Sequence, residues 1–358
     1  LKTNAVSIAP LPCKDLLSVA ELDAPAVEAL FRTASAVKRD VGAFAGALAG
    51  KTVILIFEKP SLRTRVSFEA GVARLGGHPI YYDHSTSKLG ERESVHDYAR
   101  NLERMVDLIV CRTHAHGPLA ELAGFAEIGV VNALCEKYHP CQALADLLTM
   151  RERLGDVAGR RLVFVGDGNN VCHSLVLLAT TLGMRVTVVG PKGYEPDADV
   201  MELAAARAKR AGGSFALTTS ITGVKGADVV YTDTWVSMGD EPEQIRRREA
   251  FQKYQVNVDA MARASKGAIF MHCLPANRGM EVTDEVIDSA ASAVFDQAEN
   301  RMHAQNALML HLLVPGFVPG GGAAVRADAA ERDRRASGGI PSPVVRTSRR
   351  RTTVLVTP

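Results

Sequence analysis

The chain has 358 residues, 47% of them hydrophobic and 23% charged, with a formal net charge of +2. That length carries two ordinary domains with a substantial buried core, and the composition excludes disordered and collagen-like classes. From Val314 onward eight arginines face three acids, which leaves the rest of the chain at −3, so no nucleic-acid surface is expected on the body.

The first residues, LKTNAVSIAPLPCKDLL, lack the charged-then-apolar order of a secretory signal, and a cytoplasmic address is expected. No apolar run approaches the roughly 20 residues of a membrane-spanning helix, so no membrane partner is expected either. The helical pattern PAVEALFRTASAVKRD precedes TVILIFEKP, a β-branched run from Thr52 closed by Pro60 that reads as a buried strand. A second helical pattern opens at Ser61. HPIYYD, VDLIVCRT and IGVVNAL continue the strand–helix alternation, which implies a parallel sheet. The charged segment DLLTMRERLGDVAGRR then leads to a second set. RLVFVGDGNN reads as strand and turn, VCHSLVLLATTLG as helix and RVTVVGP as strand. ADVVYTDTW and GAIFMHCLP read as strands that end in polar residues.

The expected fold is therefore α/β, with two domains, each a mainly parallel sheet flanked by helices, at 1–149 and 150–296. The helix AENRMHAQNALMLHLL, within 297–313, closes the globular part. The remainder, 314–358, is rich in Gly, Pro, Arg and Ala and is expected to be a disordered basic tail. The six cysteines (Cys13, Cys111, Cys135, Cys141, Cys172, Cys273) contain no C-x-x-C pair, which favours free thiols over a disulfide framework or a zinc site.

Ligands of open α/β sheets sit at the carboxyl ends of the strands. The polar residues there are Ser61 to Arg65, Arg112 to His114, Asn132, Gly166 to Asn170, Asp233 to Trp235, and His272 to Pro275. Ser61 after Pro60 is a good helix N-cap, and the following helix offers free N–H groups and a positive dipole end. With a Thr hydroxyl and one guanidinium, this makes an anion site sized for phosphate. Helical residues two apart point about 200° apart, so Arg63 and Arg65 cannot both face that anion. Arg63 is assigned to the ligand and Arg65 to a pair with Glu69, one turn on. In YHPCQALAD, Pro140 begins a helix and turns His139 and Gln142 toward one cleft. MHCLPAN places Cys273 at a strand end beside a proline-fixed turn.

Ser-x-Arg-Thr-Arg, His-Pro-x-Gln, Asp-x-x-x-Ser-Met-Gly and His-Cys-Leu-Pro, in that order, resemble the ornithine carbamoyltransferases, over about Asp15 to Leu313. The first two motifs mark the wider superfamily that includes aspartate carbamoyltransferase; DTWVSMG and HCLP look like the L-ornithine branch. The resemblance implies transfer of the carbamoyl group of carbamoyl phosphate to the side-chain amine of L-ornithine, with no cofactor and no metal. Carbamoyl phosphate would lie among Ser61, Leu62, Arg63, Thr64, Arg112, His139 and Gln142. Arg301 would reach it from the last helix, which returns to the first domain, and Cys273 and Leu274 would border it. Asn170, Asp233, Ser237 and Met238 would hold the amino-acid end of ornithine. Cys273 and the Leu274 carbonyl would meet the side-chain amine, with Cys273 and Asp233 handling its proton. Leu62 stands where typical ornithine enzymes carry Thr. Lys88 stands where many relatives carry Gln or His, in a loop that in this superfamily reaches a neighbouring subunit's site. A homotrimer, or a multiple of one, is implied.

Besides a nucleic-acid-binding or regulatory protein that uses the Arg-rich tail, two other readings compete. One is a carbamoyltransferase for putrescine, N-acetylornithine or N-succinylornithine. The other is a dinucleotide-dependent dehydrogenase, suggested by Gly-x-Gly in VFVGDGNN. Val171 stands at its third glycine position, and VVGP where the ribose-binding acid belongs.

Overall fold

The computed structural model describes residues 6–236 and 241–320. Ser237, Met238 and the expected tail from 321 onward lie outside these described residues.

Every strand expected from the sequence is present. In the first half β1 (Thr52–Phe57), β2 (His78–Asp83), β3 (Leu108–Arg112) and β4 (Gly129–Leu134) form a parallel sheet in the order β2-β1-β3-β4. In the second, β5 (Arg161–Val165), β6 (Arg185–Val189), β7 (Ser214–Thr218), β8 (Val229–Thr232) and β9 (Ile269–His272) form another, in the order β7-β6-β5-β8-β9. Central strands such as β1 and β3 are buried on both faces, which is why TVILIF and LIVCR read as continuous apolar runs. Edge strand β7 had no such signal. Its five residues, SFALT, are exposed or half-buried; it pairs with the free edge of β6 and packs Phe215 on the core.

Helices α1 (Ala24–Arg39), α2 (Leu62–Arg74), α3 (Val95–Leu102), α4 (His116–Phe125) and α5 (Pro140–Leu154) accompany the first sheet. The second carries α6 (Asn170–Thr181), α7 (Ala198–Ala211), α8 (Gln244–Phe251), α9 (Val258–Arg263) and α10 (Asp284–Ile287). The last helix, α11 (Val294–Leu313), packs against α1, α2 and α5, so it does return to the first half. It starts three residues before the expected 297. Helix α5 runs unbroken through the expected boundary at 149/150, and α6 packs on it.

Residues 314–320, expected to open the tail, instead fold back on the body. The Gly316 N–H donates to the Ile8 carbonyl at 2.7 Å, Gly320 N–H to Ala43 at 2.8 Å, and Phe317 stacks on Phe44. One aromatic side chain supplies the apolar burial that the composition of the tail as a whole lacks.

In each sheet the strand order reverses direction once, between β1 and β3 and between β5 and β8. Such switch points open a crevice at the carboxyl ends of the strands. The two crevices face one another across a single cleft.

Candidate active site

The cleft has a volume of about 590 Å³. Its first wall begins at Ser61, which caps α2. The Ser61 hydroxyl accepts from the Thr64 N–H at 3.4 Å and donates to Thr64 Oγ1 at 3.1 Å. Arg301, buried on α11, donates through Nη2 to the same Thr64 oxygen at 3.0 Å and through Nη1 to Gln142 Oε1 at 2.7 Å. Thr64 Oγ1 thus accepts twice, leaving its own proton to donate into the cleft. Leu62 also lines the cleft and is 76% exposed, so its contribution there is its backbone N–H at the helix start.

Arg63 and Arg65 separate as helical geometry requires. Arg63 lines the cleft, whereas Arg65 pairs with Glu69 at 3.2 Å and lies over the Tyr81 ring at 3.7 Å. Arg63, Arg112 and Arg301 converge on one space, and among the described residues no carboxylate forms an ion pair with any of them. Burial, then Arg301 and Arg63, push the Arg112 guanidinium down to about 10, so it remains charged at neutral pH. Arg112 Nε and Arg301 Nε are buried without a partner among the described residues. Three cations held together with unmet donors form a preorganised receptor for a multiply charged anion.

His139 precedes α5, its backbone N–H fixed by Ser174 Oγ at 2.7 Å. Burial first, then Arg301, Arg112 and Arg63, hold its imidazole well below its ordinary pKa of 6.5. It is therefore a neutral ring at pH 7, suited to donate to a polarised oxygen rather than to carry charge. The sign for stability follows. As pH falls below 6.5 the unfolded chain takes up a proton that the folded form refuses, so this group subtracts stability on acidification and nothing above that range. In a ¹⁵N NMR titration the His139 ring should take up its proton only well below the ordinary imidazole midpoint. A midpoint at or above 6.5 would contradict this environment.

The opposite wall comes from the second sheet. Asp233, after β8, accepts from Cys273 Sγ at 2.9 Å and from Asn169 Nδ2 at 2.8 Å. Desolvation, then the Asp233 charge, raise the Cys273 thiol well above its ordinary value, so it stays protonated as a donor to the carboxylate. A covalent-nucleophile role does not fit that environment. Leu274 adopts a left-handed backbone, φ 57°, uncommon for a branched side chain. Its N–H is held by His272 Nδ1 at 2.8 Å, and His272 Nε2 donates to buried Glu281 at 3.2 Å. Asn170 lines the cleft and ties it to the first half by donating to the Cys135 carbonyl at 2.6 Å.

Some sequence candidates fall elsewhere. Asn132 is buried inside β4 and donates to Leu17 O at 2.9 Å; Thr113 bonds to Ala115 O, and Trp235 stacks on Phe251. Lys88 is exposed in the loop after β2 and does not line this cleft. Asn169 stands among the polar residues after β5 but was given no role from the sequence. It caps α6 with the oxygen of its amide and orients Asp233 with the nitrogen, and the pair Asn169-Asn170 after Gly-x-Gly was the available signal. Gly168 itself answers to packing, because a Cβ there would lie 2.2 Å from the Pro196 nitrogen. Close approach of the loop after β6 is enough to require this glycine.

Residues 14–152 match the carbamoyl-phosphate-binding domain of aspartate/ornithine carbamoyltransferases, and 158–312 match the aspartate/ornithine-binding domain. The chain is 47% identical over 299 residues to an ornithine carbamoyltransferase of Shewanella oneidensis, covering 84% of this chain and 99% of that one. The solved ornithine carbamoyltransferase of Pyrococcus furiosus is 46% identical with a TM-score of 0.82, over 86% of this chain and 98% of that one. An acetylornithine transcarbamylase complexed with acetylcitrulline is also similar, at 32% identity and a TM-score of 0.77, over 84% and 99% of the two chains. With matching domains over nearly all of the described residues, the chain belongs to the aspartate/ornithine carbamoyltransferase family.

Proposed function

We propose that this protein transfers the carbamoyl group of carbamoyl phosphate to the side-chain amine of L-ornithine, giving L-citrulline and phosphate. One observation carries the reading: a cluster of three guanidiniums at a helix start faces a carboxylate–thiol pair across one cleft. The first wall suits a dianion and the second an ammonium-bearing amino acid. Two matched substrate domains and relatives named ornithine carbamoyltransferase support it.

In this reading Ser61, the Leu62 N–H and Arg63 hold the phosphate, with Gln142 and Arg301 behind it. Thr64, Arg112 and neutral His139 surround the carbamoyl oxygen and stabilise the negative charge it gains at the tetrahedral stage. Asp233, Asn170, Ser237 and Met238 hold the amino-acid end of ornithine. Cys273 and the Leu274 carbonyl meet the side-chain amine. That amine has an ordinary pKa near 10.4, and it must lose a proton before attack; withdrawal from water favours the neutral form. With its first proton passed toward the Cys273–Asp233 pair, its nitrogen bonds to the carbamoyl carbon, the bond from that carbon to the bridging phosphate oxygen breaks, and the second nitrogen proton leaves with the phosphate. Production of citrulline and phosphate in equal amounts tests the reading, and phosphate release without citrulline would sink it.

We assign the reaction to arginine biosynthesis in the cytoplasm, where six free cysteines suit a reducing compartment. The assembly proposed is a homotrimer whose Lys88 loop enters a neighbour's cleft. Lys88 would then compensate for the hydroxyl that Leu62 lacks. Lys88→Ala and Arg63→Ala oligomers should each be nearly inactive, and mixing dissociated subunits should restore part of the activity. Hybrids verified by mass that recover nothing would return Lys88 to a solvated loop role.

A further inference from the structure

Behind the first wall lies a carboxyl that no step above uses. Asp146, one turn after Gln142 on α5, is fully buried. Its Oδ1 accepts from Gln142 Nε2 at 2.8 Å and from Gln297 Nε2 at 2.7 Å, and its Oδ2 accepts from Tyr231 Oη at 3.1 Å. Gln297 Nε2 also lies 3.0 Å from Tyr231 Oη. Helix α5, strand β8 and helix α11 therefore meet at one acceptor, and the two halves of the protein share it.

The polarity of this network is fixed throughout. A carboxylate only accepts, so both glutamines must turn their NH₂ groups toward it and their carbonyl oxygens away. Gln142 Oε1 then faces Arg301 Nη1 at 2.7 Å, and Gln297 Oε1 faces the backbone N–H of His272 at 3.1 Å. Arg301 and a backbone N–H can only donate, so they independently demand the same orientations. One buried acceptor thus sets the guanidinium that reaches the anion site and the strand end that carries Cys273.

We propose that Asp146 is a positioning residue for carbamoyl transfer: its ionised carboxylate holds Gln142, and through it Arg301, in the orientation the anion site needs. The inference rests on the carbamoyl-transfer reading. Burial pushes this carboxyl up to about 7 against the opposing hydrogen bonds of Gln142, Gln297 and Tyr231. The charged or titratable groups that act on it are Arg301 from α11, Tyr231 from β8 and Cys273 after β9. Because its folded pKa is raised, acidification below about 7 protonates it: Gln142 and Gln297 then face a neutral carboxyl, and the Tyr231 hydroxyl loses its acceptor on Oδ2.

The test compares wild-type protein with Asp146→Asn, Asp146→Asn/Gln142→Glu and Tyr231→Phe. At pH 8, Asp146→Asn should raise the KM for carbamoyl phosphate about tenfold or more, because both glutamines then share one neutral amide oxygen in place of a carboxylate and the Tyr231 proton loses its acceptor to the new amide nitrogen. Adding Gln142→Glu moves the charge one position: the amide at 146 then donates to the carboxylate at 142, which accepts from Arg301. About half or more of that loss, on a logarithmic scale, should return. Tyr231→Phe removes a donor to the carboxylate and should move the acidic limb of kcat/KM to higher pH. The double variant and Tyr231→Phe carry the test if Asp146→Asn does not fold. Calorimetry with inorganic phosphate at pH 8 gives the same comparison without turnover, so an inactive wild type would count against the carbamoyl-transfer reading alone. Unchanged phosphate binding and KM in Asp146→Asn, a double variant no better than the single one, or an unmoved limb in Tyr231→Phe would each overturn the inference.

Discussion

Arg63→Ala is expected to lower turnover by about 100-fold or more while the protein remains folded. Loss of one preorganised donor to charge that grows in the transition state costs on the order of 3 kcal/mol. Arg63 lines the cleft at the first turn of α2, where the phosphate would depart. Its charge also depresses Arg112 and His139, so truncation removes repulsion rather than a stabilising pair. The melting temperature should hold or rise slightly while kcat collapses. Near wild-type turnover at saturating carbamoyl phosphate would end the assignment of Arg63 to the phosphate.

Asp233→Asn is expected to weaken ornithine binding by about 30-fold or more, and carbamoyl phosphate binding by no more than about twofold. Removing one charge from a desolvated pair typically costs on the order of 2 kcal/mol or more. Only ornithine brings an ammonium group to the second wall, whereas the phosphate is met by arginines of the first. The substitution also disturbs the wall itself, because Asp233 accepts from both Cys273 and Asn169 and an amide can accept on only one side. Calorimetric titration of each substrate separates the two effects. Equal weakening of both would contradict the division of labour between the walls.

Much of this was legible in the sequence for a simple physical reason. Central parallel strands are buried on both faces, so β1, β3, β5 and β8 appear as apolar runs, and the polar residues that follow them mark the crevice. The split of Arg63 from Arg65 followed from helical angle alone. What escaped was non-local. Strand β7 is recruited by an edge and has no run of its own. The position of Asn132 depended on residues around Leu17, which no pattern near Asn132 announces. The Asp146 cluster joins positions 146, 231 and 297 from three elements, and each of those residues alone reads as an ordinary helix or strand residue. Phe317, in a segment whose composition suggested a tail, stacks on the distant Phe44, and its neighbours Gly316 and Gly320 bond to Ile8 and Ala43.

The central claim is that the cleft joins carbamoyl phosphate to an amino acid whose charged end is held by the second wall. The most direct measurement is carbamoyl transfer from carbamoyl phosphate to a panel of acceptors: L-ornithine, putrescine, N-acetylornithine and N-succinylornithine. Putrescine lacks the carboxyl and α-ammonium groups, and the acylated amino acids lack the ammonium that Asp233 would meet. L-ornithine is expected to give a kcat/KM at least about 100-fold above each of the others, because a buried charged group left unpaired costs several kcal/mol. A higher kcat/KM for any of the other three, or no transfer to L-ornithine, would contradict the account.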